Sequence, residues 1–193
     1  MGNRLTLSET PETLGAVELT SVARGYRVAD AMIKKAPSRL LDARAYCPGK
    51  FLIVIAGDVA SVEESLEAGL REAAEALFGH LFIPNLEADV VAAVNRTGDV
   101  RVEETLGVLE SFSAVSMIDA ADAAAKAADI DIQSISLLEG LGGKAFALFS
   151  GELTNVEAAI AAGTTRIPED MFVGSELIPQ ISPELAAFYP GVG

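Results

Sequence analysis

The chain has 193 residues, 50% of them apolar and 22% charged, enough for one large domain or two small ones. Its 14 Lys and Arg stand against 28 Asp and Glu, and the net charge of -14 repels nucleic-acid backbones and anionic membrane faces, so neither is expected as a partner. One Cys rules out an intrachain disulfide framework and fits a reducing cytoplasm; with no signal-type apolar run in MGNRLTLSETPE and no membrane-length apolar stretch, a soluble cytoplasmic protein is expected.

After a tail over residues 1–12, the run Leu14 to Leu19 reads as a strand. A helix follows in which Val22, Tyr26, Ala29 and Ile33 recur at three- and four-residue spacing and share one face, and Pro37 ends it. Two extended runs, Leu40 to Tyr46 and Phe51 to Ala56, flank Cys47-Pro48-Gly49 as a hairpin. Past Gly57-Asp58 a second helix opens, with Ser61 and Glu64 spaced as a capping box and Val59, Val62, Leu66 and Ala73 on one side. His80, the single histidine, reads as a helix-end residue, and turn formers gather at Asn95-Arg96-Thr97-Gly98-Asp99.

The chain then repeats itself. Thr13-Leu14-Gly15-Ala16-Val17-Glu18 returns as Thr105-Leu106-Gly107-Val108-Leu109-Glu110, an offset of 105 − 13 = 92, and Ala29-Asp30-Ala31 with Lys34 returns as Ala121-Asp122-Ala123 with Lys126. Gly49-Lys50 recurs as Gly143-Lys144, Gly57-Asp58-Val59 as Gly151-Glu152-Leu153, and Ile83-Pro84 as Ile178-Pro179. The second copy's first helix carries Val115, Ile118, Asp122 and Ala125 on the matching face, its hairpin turns at Gly140-Leu141-Gly142-Gly143, and Thr154 with Glu157 spaces a second capping box. Gly163, Pro168 and Gly174 predict a short second helix there. The expected architecture is α+β: two tandem domains, 13–98 and 99–193, each a small, mainly antiparallel sheet flanked by helices.

Chemistry is sparse. A lone Cys is most often a small buried hydrophobe, but Cys47 sits beside Pro and Gly where backbone geometry selects residues, which favours an accessible thiol. Cys-Pro also ends ferredoxin-type cluster motifs. A single histidine gives no His pair for zinc or proton relay, and Gly140-Leu141-Gly142-Gly143-Lys144 lacks the spacing of a phosphate loop. No catalytic constellation emerges, and Glu63-Glu64 and Asp129 with Asp131 read as solvated faces. Charge is uneven: residues 1–98 hold 10 basic and 13 acidic side chains, 99–193 hold 4 and 15.

The order Leu-Gly-x-x-Glu, Ala-Asp-Ala-x-x-Lys, glycine turn, Gly-Asp-Val-x-x-Val-Glu and Ile-Pro resembles the bacterial microcompartment shell domain, over about residues 13 to 92 and 105 to 188. Leu19-Thr20-Ser21-Val22-Ala23-Arg24-Gly25 and Cys47-Pro48-Gly49-Lys50-Phe51 bring it near the tandem shell proteins of propanediol-utilisation compartments. The resemblance implies a non-enzymatic tile: a homotrimer of pseudohexagonal outline that joins other shell proteins, with Lys34 and Lys126 at the tile edge. Its pore would be lined by Cys47, Pro48, Gly49, Gly140, Leu141, Gly142 and Gly143. Family members usually carry Arg or His after Ile-Pro-x, whereas Leu86 and Ile181 stand here, following Asn85 and Gln180. Three Cys47 thiols on the trimer axis would suit a soft metal or an iron–sulfur cluster, with Gly49, Gly142 and Gly143 offering backbone N–H groups and encapsulated redox enzymes as partners. A thiol-lined metabolite pore without a cluster, and a free-standing α+β redox or ligand-binding protein, are the alternatives.

Overall fold

A computed structural model describes residues 13–94, 105–137 and 142–186. In chain order they form β1 (Thr13–Leu19), α1 (Val22–Lys35), β2 (Arg39–Tyr46), β3 (Lys50–Gly57), α2 (Val59–Ala73), a 3-10 turn (Ala74–Ala76), β4 (Leu77–Pro84) and α3 (Ala88–Val94). The second half follows with β5 (Thr105–Ser111), α4 (Ala114–Ala127), β6 (Asp131–Leu137), β7 (Ala145–Gly151), α5 (Leu153–Thr164), β8 (Phe172–Ile178) and α6 (Pro183–Ala186). Two compact units result. The first holds 13–86 with Gly142 and Gly143, and the second holds the other described residues from Glu87 onward.

Each unit is built on a four-stranded antiparallel sheet, in the order β2-β3-β1-β4 and β6-β7-β5-β8. β1 is buried along its whole length because it has a strand on either side and α2 across one face. In the first unit Val17, Leu19, Phe51, Ile53 and Ile55 of the sheet pack with Val28 and Met32 of α1 and Val62 and Leu66 of α2. Gly25 permits the approach of α1: a Cβ built there would lie 2.2 Å from Cγ of Phe51. The packing boundary between units falls at Leu86/Glu87, since α3 lies on α4 and β6; the polar junction Asn95 to Asp99, with the boundary drawn there, is outside the described residues.

The strands and hairpins fall where alternation and glycine placed them, and α5 is shorter than α2. Four details differ. The inner face of α1 is Gly25, Val28, Ala29 and Met32, while Tyr26 and Ile33 point outward, because the missing Gly25 side chain rotates the contact stripe toward the sheet. α2 is capped by Asp58, whose side chain accepts the Ser61 N–H at 2.9 Å, so Ser61 lies inside the helix and Val59 is exposed. α5 likewise starts earlier than the Thr154–Glu157 spacing implied, with Glu152 at its cap position. His80 belongs to β4, opposite Val17, rather than to a helix end.

Candidate functional site

The first hairpin turn rests on a buried ionic anchor. Tyr46 and Lys50 face each other at the ends of β2 and β3, and the Gly49 N–H donates to the Tyr46 carbonyl at 2.8 Å, closing the turn over a cis Cys47–Pro48 bond. Beneath it Glu18 of β1 is fully buried; its Oε1 accepts from the Tyr46 hydroxyl at 2.6 Å and from Lys50 Nζ at 2.8 Å. The lysine also lies 3.3 Å from the centre of the Phe78 ring, a cation–π contact that helps offset its desolvation. Burial, and then the Glu18 charge, push the Tyr46 phenol far above its ordinary range, so it stays a neutral donor. The result is a rigid base from which Cys47 projects, exposed and unbridged.

The second turn comes to the first. Gly142 and Gly143 have φ of +63° and +89°, and a Cβ on Gly143 would stand 2.8 Å from Cδ of Pro48 and 3.7 Å from the Cys47 carbonyl oxygen. Only glycine has both the backbone freedom and the missing side chain for that position. Gly143 thus stands against Pro48 and the Cys47 carbonyl, with Gly142 beside it in the chain; Gly140 and Leu141 lie outside the described residues. One element of the expected ligand sphere changes: the Gly49 N–H is committed to Tyr46 and is not a free donor. Among the described residues no three His, Cys, Asp or Glu groups of one chain are placed to hold a metal. With one cysteine in its sequence, the chain can offer a metal a single thiolate.

Both candidate edge lysines end their helices and pair four residues back. Lys34 Nζ is 2.7 Å from Asp30 Oδ2 with both side chains exposed, whereas Lys126 Nζ is 2.6 Å from an Asp122 that is almost wholly buried. The other Asp122 oxygen accepts the Glu87 N–H at 3.0 Å, at the start of α3. Lys126 also borders an open groove of about 440 Å³ lined by Glu87, Asp89, Asp129 and Ile130. At the terminal motif, Asn85 (φ +58°) and Gln180 (φ +52°) make the same left-handed turn, after which Leu86 and Ile181 are buried, so the residues that depart from the usual pattern serve packing.

Sequence reasoning missed the Glu18–Tyr46–Lys50 anchor. The signal was available in the repeat: Glu18 and Lys50 recur as Glu110 and Lys144, whose charged atoms lie 3.6 Å apart, although that second pair is more than a third exposed.

The BMC domain family matches residues 13–86 and again 105–181. The bacterial microcompartment shell protein PduT of Citrobacter freundii is 32% identical over 170 residues, covering 88% of this chain and 92% of that protein. The carboxysome assembly protein CcmO of Synechocystis is 30% identical over 166 residues, 78% of this chain and 54% of its own length. Among solved structures, a microcompartment protein from Desulfitobacterium hafniense superposes with a TM-score of 0.80 at 38% identity, covering 90% of this chain and 97% of the other. The fused permuted hexameric shell protein of the RMM microcompartment, at 21% identity and a TM-score of 0.59 over 80% and 83% of the two chains, shares the fold. With two matched domains in tandem and full-length relatives of the same kind, the chain belongs to the BMC-domain family of bacterial microcompartment shell proteins.

Proposed function

We propose that this structural shell protein works as a homotrimeric, pseudohexagonal tile whose central pore is formed by the Cys47 turn and the Gly142–Gly143 turn of each copy. The observation that carries the reading is the approach of Gly143 to Pro48, which puts the two hairpin turns at one place on the chain. In a tile, Lys34 and Lys126 meet neighbouring shell proteins at the edges, in keeping with their matching positions at helix ends. No helix among the described residues is long and apolar enough to cross a membrane, and a shell within the cytoplasm is the setting the family indicates.

The pore reading extends to the thiol. Three Cys47 side chains at a threefold axis present a soft ligand set with one iron left open to a water or small molecule, and the exposed, firmly based thiol suits that use. An iron–sulfur cluster there would supply one-electron transfer across the shell to encapsulated redox enzymes. The chain's own contribution is to hold the thiols in register through Glu18, Tyr46 and Lys50. Electron microscopy of purified protein tests the tile: hexagonally packed layers are expected, and only dispersed single chains would refute it. Anaerobic iron–sulfur reconstitution tests the cluster. A brown protein with a low-temperature paramagnetic signal, both lost in Cys47→Ser while oligomers persist, is expected; a colourless, iron-free wild type leaves a thiol-lined metabolite pore.

A further inference from the structure

Each unit packs two long helices against each other, α1 on α2 in the first and α4 on α5 in the second. The two helix pairs follow one plan. α1 and α4 start at Val22 and Ala114, an offset of 114 − 22 = 92, while α2 and α5 start at Val59 and Leu153, an offset of 153 − 59 = 94. Gly69 and Gly163 are counterparts at the second offset and make the same close approach: an added Cβ would lie 2.6 Å from Cγ of Met32 in α1 and 2.9 Å from the Ala120 carbonyl oxygen in α4.

On that shared plan one ion pair is reversed. Arg27 of α1 pairs with Glu72 of α2. Their counterparts are Asp119, at 27 + 92 = 119, and Arg166, at 72 + 94 = 166, and these pair as well, with Nε and Nη2 of the arginine each 3.0 Å from a carboxylate oxygen. The first helix therefore supplies the cation in one unit and the anion in the other. In both pairs the acid is the more shielded partner, Glu72 with 28% and Asp119 with 19% of its side chain exposed. The neighbouring cross-helix pair shows no such reversal: Lys35–Glu64 of the first unit is simply missing from the second, where Ala127 and Ala158 stand.

We infer that Arg27–Glu72 and Asp119–Arg166 form a pairing code, by which each first helix accepts the second helix of its own unit and rejects that of the sister unit. A chain made of two like units has an exchanged alternative, α1 on α5 and α4 on α2, and misassembly between repeats is a characteristic failure of such chains. The shared glycine approach is compatible with either partner. The charges are not: exchange sets Arg27 against Arg166 and Asp119 against Glu72, so both attractions become repulsions, and two half-shielded acids meet without a cation. One such pair contributes little alone, but two attractions lost and two repulsions gained favour the correct pairing by about tenfold. The code is independent of the tile reading, because it acts on the choice of partner as a chain folds.

Refolding of the full chain tests the code. Asp119→Arg combined with Arg166→Glu keeps an ion pair in the second unit but gives both units the same polarity, and Arg27→Glu combined with Glu72→Arg does so from the first unit. Each protein is diluted from urea to one fixed concentration, and light scattering measures the fraction that returns to its native mass, whatever oligomer that is. Both paired variants are expected to misassemble several-fold more than wild type, up to about tenfold. All four substitutions together restore opposite polarity and are expected to restore wild-type recovery. Because the fourfold chain contains every substitution, local damage would persist in it and could not produce the rescue. Paired variants that refold as wild type does, or a fourfold chain that recovers no better than they do, overturn the code. A wild type that misassembles as fully as the paired variants overturns it too.

Discussion

Lys50 holds its Nζ 2.8 Å from Oε1 of Glu18, with the carboxylate wholly buried and the lysine side chain 13% exposed. Removing one partner strands a buried charge, which costs about 3–5 kcal/mol, whereas an exposed pair contributes about 1 kcal/mol or less. Lys50→Met should therefore lower the urea midpoint sharply, while Lys144→Met at the half-open pair with Glu110 should barely move it. Comparison at one fixed protein concentration removes the effect of assembly. Equal effects at the two positions would show that the anchor is not what holds the first turn.

Tyr46 gives the anchor a pH signature. Its phenol is raised above the ordinary value of 10.0, first by burial and then by Glu18. A raised acid contributes stability that is complete below the unfolded pKa and is lost as pH climbs above it, since only the unfolded chain ionises there. Stability should fall above about pH 10 in wild type and fall less in Tyr46→Phe. Tyrosinate absorbance checks this directly: of the three tyrosines, Tyr46 should ionise only as the chain unfolds.

Glycine substitutions separate close approach from open strand. At Gly25 a new methyl would overlap the Phe51 ring, and overpacking of this kind costs about 1–3 kcal/mol. Gly174 in β8 has nothing within 4 Å of an added Cβ. Thermal unfolding should show Gly25→Ala clearly destabilised and Gly174→Ala within about 0.5 kcal/mol of wild type. The reverse order would mean that α1 does not seat on β3 through Gly25.

The two helix-end lysines should separate stability from assembly. Lys34→Ala removes one side of an exposed pair and should leave unfolding within about 0.5 kcal/mol while impairing sheet formation. Lys126→Ala deprives a buried Asp122 of its cation and should cost about 1–3 kcal/mol as well. Layers from Lys34→Ala indistinguishable from wild type would remove that residue from the edge.

The repeat made the tandem organisation legible, because identical residues at a constant offset are visible without any structure. The hairpins were legible for a local reason: Pro48 and Gly49, and Gly142 and Gly143, select their own turns. Helix faces were harder. Periodicity grouped Tyr26 and Ile33 with Ala29, but the face of α1 is chosen by Gly25, whose contribution is the absence of a side chain. His80 was misplaced because β4 carries no strict alternation at its start, where Leu77, Phe78 and Gly79 are all half-buried. The Glu18 anchor depends on pairing across strands far apart in sequence, which spacing within one strand does not display.

The proposed meeting of three Cys47 turns at one axis is directly measurable, because the chain has a single cysteine. A short trifunctional maleimide has one thiol per chain to react with, so it joins three chains only where three Cys47 side chains converge. A covalent product of three chain masses, 3 × 20.1 = 60.3 kDa, is expected on a denaturing gel at limiting reagent and is expected to be absent from Cys47→Ser. Complete thiol modification of an intact oligomer, with every chain still migrating at its single mass, would contradict it.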